Sequence, residues 1–210
     1  MSDSSPRFLI GAFAASFALA LILYAVSFVG SAWRFAQAEP QYDAVARGKL
    51  GTVIELDALT RALRVSPMRA DLNRAGFVQV VTAQREGLKS ARAATRMFSA
   101  RRDLRAGLGI APSDSLAWTR LAVAEHTLGN RERAAAALSV ALQVAPAERK
   151  AIALQLDLAL LLWPELDRAG KVSIERRLGD AEKSPHLAPV LAGNSAQALR
   201  RKLEEEKREP

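Results

Sequence analysis

Residues 113–146 read SDSLAWTRLAVAEHTLGNRERAAAALSVALQVAP, and the fold class follows from how their apolar positions recur. Trp118 and Leu121 are three apart, and Ala134, Leu138 and Ala141 are spaced by four and three, which puts each set on one face of a helix. Ser113 or Asp114 offers a side-chain oxygen to the first turn of the first helix. Leu128-Gly129-Asn130 breaks it, because Gly or Asn takes the left-handed conformation that closes a helix. A second helix runs from Arg131 to Val144 and is stopped by Pro146. A link this short makes the two helices an antiparallel hairpin, with Ala122 and Ala134 small where they cross.

The chain on either side keeps this character. Ala, Leu and Arg dominate after Pro40, β-branched runs are missing, and no strand is expected. Val53, Leu56, Leu59 or Thr60, and Leu63 trace one face of a helix over 50–65, ended by Ser66-Pro67. Further helices are expected over 69–84, 88–108, 147–163, 171–182 and 195–207. The segment AIALQLDLALLLW, Ala151 to Trp163, carries only Asp157 as a charge, so neighbours must cover nearly all of it. The last helix has Leu199 and Leu203 on one face and dense charge elsewhere, which suits a cap.

Residues 113–146 resemble a tetratricopeptide repeat. That family's 34-residue unit places a Trp, a Leu-Gly pair, a Tyr, an Ala, a Phe and a closing Pro at set spacings. Trp118, Leu121, Ala122 in place of Gly, Glu125 in place of Tyr, Ala134, Leu138 in place of Phe, and Pro146 fall there. Pro112 stands 34 residues before Pro146, and Ala100, Leu104 and Gly107 stand 34 before Ala134, Leu138 and Ala141. Leu59, Ala62 and Pro67 repeat only the closing half. The resemblance implies an all-α fold of antiparallel hairpins stacked as a short α-solenoid over 50–165, capped by 166–210. A non-repeating helical bundle is the alternative. The resemblance also implies a concave groove for a partner, lined in the best-matched unit by Leu116, Thr119, Val123, His126 and Thr127.

A second candidate surface is electrostatic. The formal net charge is +8, and residues 85–105 hold Arg85, Lys89, Arg92, Arg96, Arg101, Arg102 and Arg105 against only Glu86 and Asp103. Lys89, Arg92 and Arg96 share one helical face. Such a patch fits an acidic partner, anionic lipid or an acidic polymer. Nucleic acid is not expected, since stacking aromatics are missing from the patch.

The first part of the chain differs from the body. From Phe8 to Trp33 there is no charged side chain. Residues 8–30 are expected to form a transmembrane helix, since twenty-three residues make about 34 Å of helix against a hydrocarbon core of about 30 Å. Residues 1–7 would be a tail and 31–49 a juxtamembrane linker. A cleaved signal peptide using Ala36-Gln37-Ala38 is the rival reading, but the apolar run exceeds the usual length of such a core. Arg7 on one side and Arg34, Arg47 and Lys49 on the other would keep the body in the cytoplasm. Long domains translocate largely regardless of charge, and the expected placement is a single pass in a bacterial inner membrane with a periplasmic body.

The chain holds no Cys, which excludes disulfides, thiolate metal sites and Cys nucleophiles. His126 and His186 are sixty positions apart, and no phosphate loop, HExxH or GxSxG motif is present. No catalytic residue, metal or cofactor is expected. The function expected is a membrane-anchored scaffold that recruits or organises partner proteins, subunits of a bacterial envelope complex. The alternative is an accessory protein that binds anionic lipid or acidic polymer through 85–105. A structural subunit held in a larger complex by its apolar helix is a third reading.

Overall fold

A computed structural model describes residues 6–49, 51–65, 71–144, 151–183 and 188–208. Among the described residues the fold is all-α, with ten α-helices packed on their neighbours and no strand. In chain order these are α1 (Pro6–Ala46), α2 (Val53–Arg64), α3 (Asp71–Glu86), α4 (Ala91–Leu108), α5 (Ser115–Thr127), α6 (Arg131–Val144), α7 (Ile152–Leu161), α8 (Arg168–Glu182), α9 (Ala188–Leu191) and α10 (Asn194–Arg208). The expected stops at Pro67 and Pro146, and His186, lie outside the described residues.

Local chemistry places the boundaries. Thr52 and Glu55 form a capping box at the start of α2: the Thr52 N–H donates to Glu55 Oε2 at 2.6 Å and the Glu55 N–H to Thr52 Oγ1 at 3.3 Å. Ser90 caps α4 by accepting from the Ala93 N–H at 3.0 Å. Asp114 caps α5 by accepting from the Ala117 N–H at 2.9 Å. Its other oxygen accepts from Asn73 Nδ2 at 3.0 Å, which ties the start of α5 to the start of α3. Gly87 and Gly129 follow α3 and α5 with φ of +84° and +80°, a conformation costly for side chains with a Cβ.

Each helix from α2 to α6 packs on the next, α3 also touches α5, and α5 touches α7. The α3–α4 pair is the most extensive, and two glycines explain how close it comes. A Cβ on Gly76 would sit 2.6 Å from Leu104 Cγ, and one on Gly107 would sit 2.1 Å from Asn73 Oδ1. The main core joins Met97, Ala100 and Leu104 of α4 to Ala134 and Leu138 of α6, then to Leu156, Ile174 and Leu199. A smaller core seats Ala38 and Val45 of α1 against Leu56, Leu59 and Leu63 of α2 and Val78 of α3. Residues 31–46, expected as a linker, continue α1, and Pro40 lies inside that helix.

Among the described residues no helix is long and apolar enough to cross a membrane. This overturns the anchor expected over 8–30 and the single-pass inner-membrane placement that rested on it. The side chains of residues 8–12 and 14 lie outside the described residues. From Phe13 to Val29 the described side chains of α1 are exposed on every side.

Candidate functional site: a cationic groove on three helices

A concavity lies where the end of α4 meets α5 and α6. Its apolar floor comes from Leu108, Trp118, Leu121, Ala137 and Val140, and Arg105 and Arg133 stand on its rim around about 590 Å³. Leu108 and Leu121 are each 4% exposed, so the floor is the outer layer of the main core. The Trp118 indole N–H donates to the Pro112 carbonyl at 2.8 Å, which pins the ring to the loop before α5.

Glu125 organises the charge at this groove. It is 1% exposed, and a carboxylate so deeply buried needs partners on both oxygens. Arg105 donates to Oε1 at 2.6 Å, Asn130 donates to Oε2 at 2.9 Å, and Arg101 lies 3.7 Å from Oε2. The Arg105 side chain stays half exposed at 51%, so one end of the ion pair is sealed and the other faces solvent. Beside the groove a second cleft of about 540 Å³ is lined by Thr95, Phe98, Ser99, Arg101, Arg102 and Arg105. Arg101 lies 4.9 Å from the centre of the exposed Phe98 ring.

The residues expected to line a partner groove separate in the structure. Leu116, Val123, His126 and Thr127 are partly buried. Thr119 is fully buried: it donates to the Ser115 carbonyl at 2.9 Å and accepts from Gln155 Nε2 of α7 at 2.7 Å. The stripe therefore faces α7 at its centre. His126 Nδ1 is buried without a hydrogen-bond partner, and the His126 charge is a minor influence on Glu165. The larger influence there is Arg131, whose hydrogen bond holds the Glu165 carboxyl below the ordinary glutamate range while Glu165 raises Arg131.

The basic stretch is less free than its composition suggests. Arg96 is held by Asp57 through both carboxylate oxygens and by Glu86 at 3.4 Å, and the Asp57 hydrogen bond raises its pKa. Arg102 lies 3.5 Å from Asp103, which Arg64 already holds at 2.6 Å. The charge of Arg85 is a minor contributor to lowering the Glu55 carboxyl. Lys89 and Arg92 are exposed and make no ion pair with a described residue. No group of His, Asp and Glu among the described residues is placed to hold a metal ion.

The chain matches no family model, and neither the curated proteins nor the solved structures give a match. The resemblance to a tetratricopeptide repeat is corrected accordingly. The departures noted in the motif have physical weight. Where that family has a Tyr, this chain buries the carboxylate of Glu125, and Trp118 lines an open groove. The 34-residue echo does have a counterpart in packing, since Ala100, Leu104, Ala134, Leu138 and Ala141 are all 0% exposed. Periodicity alone did not single out Trp118, Leu121, Val140 and Arg133 as a shared surface. The one signal in the chain was Glu125, a carboxylate on an otherwise apolar helical face.

Proposed function

We propose that this chain is a protein-interaction module, binding rather than catalytic, that holds a segment of a partner on the surface formed by α4, α5 and α6. The observation that carries the reading is the groove itself: an apolar floor built from the core, with Arg105 fixed by Glu125 and Arg133 exposed on its rim. Binding sites combine apolar area with a few placed polar groups in this way. In this reading the pairs α3–α4 and α5–α6 act as stacked hairpins of a short α-solenoid, a shape that presents extended surfaces to partners. A photo-reactive amino acid at the exposed Ala136, which lines the groove, tests it. Protein adducts in native extract are expected from Ala136 and not from Asp180 on α8. A lack of protein adducts at Ala136 overturns the reading.

A second reading, binding to anionic lipid or acidic polymer, draws support from Lys89 and Arg92, which are exposed without an acidic partner among the described residues. Under it, Lys89→Glu with Arg92→Glu abolishes sedimentation with anionic vesicles or polyglutamate. Under the first reading the same pair leaves the Ala136 adducts intact.

A further inference from the structure

We infer that the groove and the cleft beside it take an extended acidic peptide segment carrying one large apolar side chain, an inference that rests on the interaction reading above. The two concavities adjoin at Arg105, which lines both, with Phe98 in one and Val140 in the other. They carry Arg101, Arg102, Arg105 and Arg133 and one buried carboxylate, Glu125, which pairs with Arg101 and Arg105. Asp103 adds little, because Arg64 already holds it. Glu132 lines a different cleft, with Arg131 and Glu165. The surplus is positive, and Arg102 at 71% exposure and Arg105 at 51% present it to solvent.

Complementarity therefore calls for carboxylates spaced along a chain, since each guanidinium can take a carboxylate through two parallel hydrogen bonds. Glu125 adds preorganisation: by fixing Arg105 from inside the protein it removes much of the ordering cost that binding would otherwise carry. The apolar floor discriminates among anions. A polyanion without side chains gives the socket between Trp118, Leu121 and Val140 nothing to cover it, whereas a leucine in the middle of an acidic segment fills it.

The test uses the full chain in a mild non-ionic detergent and fluorescein-labelled peptides read by anisotropy. One peptide is a short glutamate run with a central leucine, one has alanine in place of the leucine, and one has glutamine in place of every glutamate. The acidic leucine peptide is expected to bind about tenfold more tightly than the alanine peptide, the worth of burying one aliphatic side chain. Its affinity should fall with added salt. Arg102→Glu with Arg133→Glu, two exposed positions that leave the partners of Glu125 in place, should weaken it by about tenfold or more. Ala136→Trp, which fills the groove without changing charge, should erase the preference for leucine. Both variants are checked for an unchanged thermal transition.

Equal binding of the glutamine peptide overturns the inference, because charge would then play no part. Equal binding of the leucine and alanine peptides overturns it as well, in favour of a plain polyanion surface. If no acidic peptide binds while Ala136 still gives protein adducts, the inference fails and the interaction reading stands. Loss of both sinks both.

Discussion

Two helices of this chain are nearly free of charge, and they meet opposite fates. The outer part of α1, Phe13 to Val29, shows Phe17, Leu21, Tyr24 and Val26 to solvent, each more than half exposed. In α7, Ile152, Leu156, Leu158 and Ala159 are each 5% exposed or less. Composition does not separate them. What separates them is neighbours: α7 is packed by α5, α6 and α10, whereas α1 meets α2 and α3 only through its final turns around Ala38, Tyr42 and Val45. The helix of α7 even buries a polar group at its centre. Gln155 is 0% exposed, donates to Thr119 at 2.7 Å, and accepts from Arg177 Nη1 at 2.6 Å. Burial in this molecule is a property of the contact surface, and an apolar stretch without one stays bare.

The most direct way to break that comparison is one substitution made in both helices. Leu156→Ala should destabilise the fold by about 3 kcal/mol, through lost transfer energy and the cavity left behind. Leu21→Ala, at a position 52% exposed, should change stability by less than about 0.5 kcal/mol. Urea unfolding followed by circular dichroism measures both, and a comparable loss at Leu21 would show that something in the chain covers α1.

Gln155→Leu sharpens the same contrast from the polar side. It keeps the volume roughly but removes the acceptor for Arg177 and the donor for Thr119, so a cost of about 1–3 kcal/mol is expected. A neutral result would mean that the buried network contributes nothing net. A smaller effect is expected from the opposite operation, removal of residues 1–35. The seating of Ala38, Tyr42 and Val45 survives this cut, and the urea midpoint of the body should move little. Self-association should fall, since the exposed apolar surface goes with the deleted residues.

How much of this was legible in advance depends on which physics decides each feature. Helix faces were readable, because periodicity is local: Leu56, Leu59, Thr60 and Leu63 are the buried residues of α2 as their spacing requires. The covering of Ala151 to Trp163 was readable only in part, since Ala153, Leu154, Asp157 and Leu161 leave one face of that segment exposed. The burial of Thr119 and the pairing of Arg96 were not. Thr119 sits on a helical stripe that looks exposed in projection, and only the arrival of Gln155, 36 positions later, buries it. Lys89, Arg92 and Arg96 share a face, yet Asp57 of α2 neutralises Arg96 across 39 positions. Long-range pairing of charges leaves no periodic trace, so a basic stretch overstates its free charge. The groove is likewise a product of three helices meeting, and its members Leu108, Trp118 and Val140 come from separate elements.

The smallest effect concerns pH and the surface pairs that fasten the far end of the body. Arg131 holds Glu165, and Lys171 with Trp163 holds Glu206, each hydrogen bond keeping a carboxyl below its ordinary range. The folded value lies below the unfolded one, so the stabilisation is complete above the unfolded glutamate range, near pH 4.5. It is lost as the pH falls through the lowered folded values. These groups are solvent-facing, and screening keeps the contribution modest. Glu165→Gln with Glu206→Gln should therefore lower the urea midpoint slightly at neutral pH and flatten its decline in acid. The two proteins should converge below the folded values, where the wild-type carboxyls are themselves protonated. An acid profile identical in both, with the same neutral offset throughout, would mean that these carboxyls are not perturbed by folding. The far end of α7 would then be held by its apolar contacts alone.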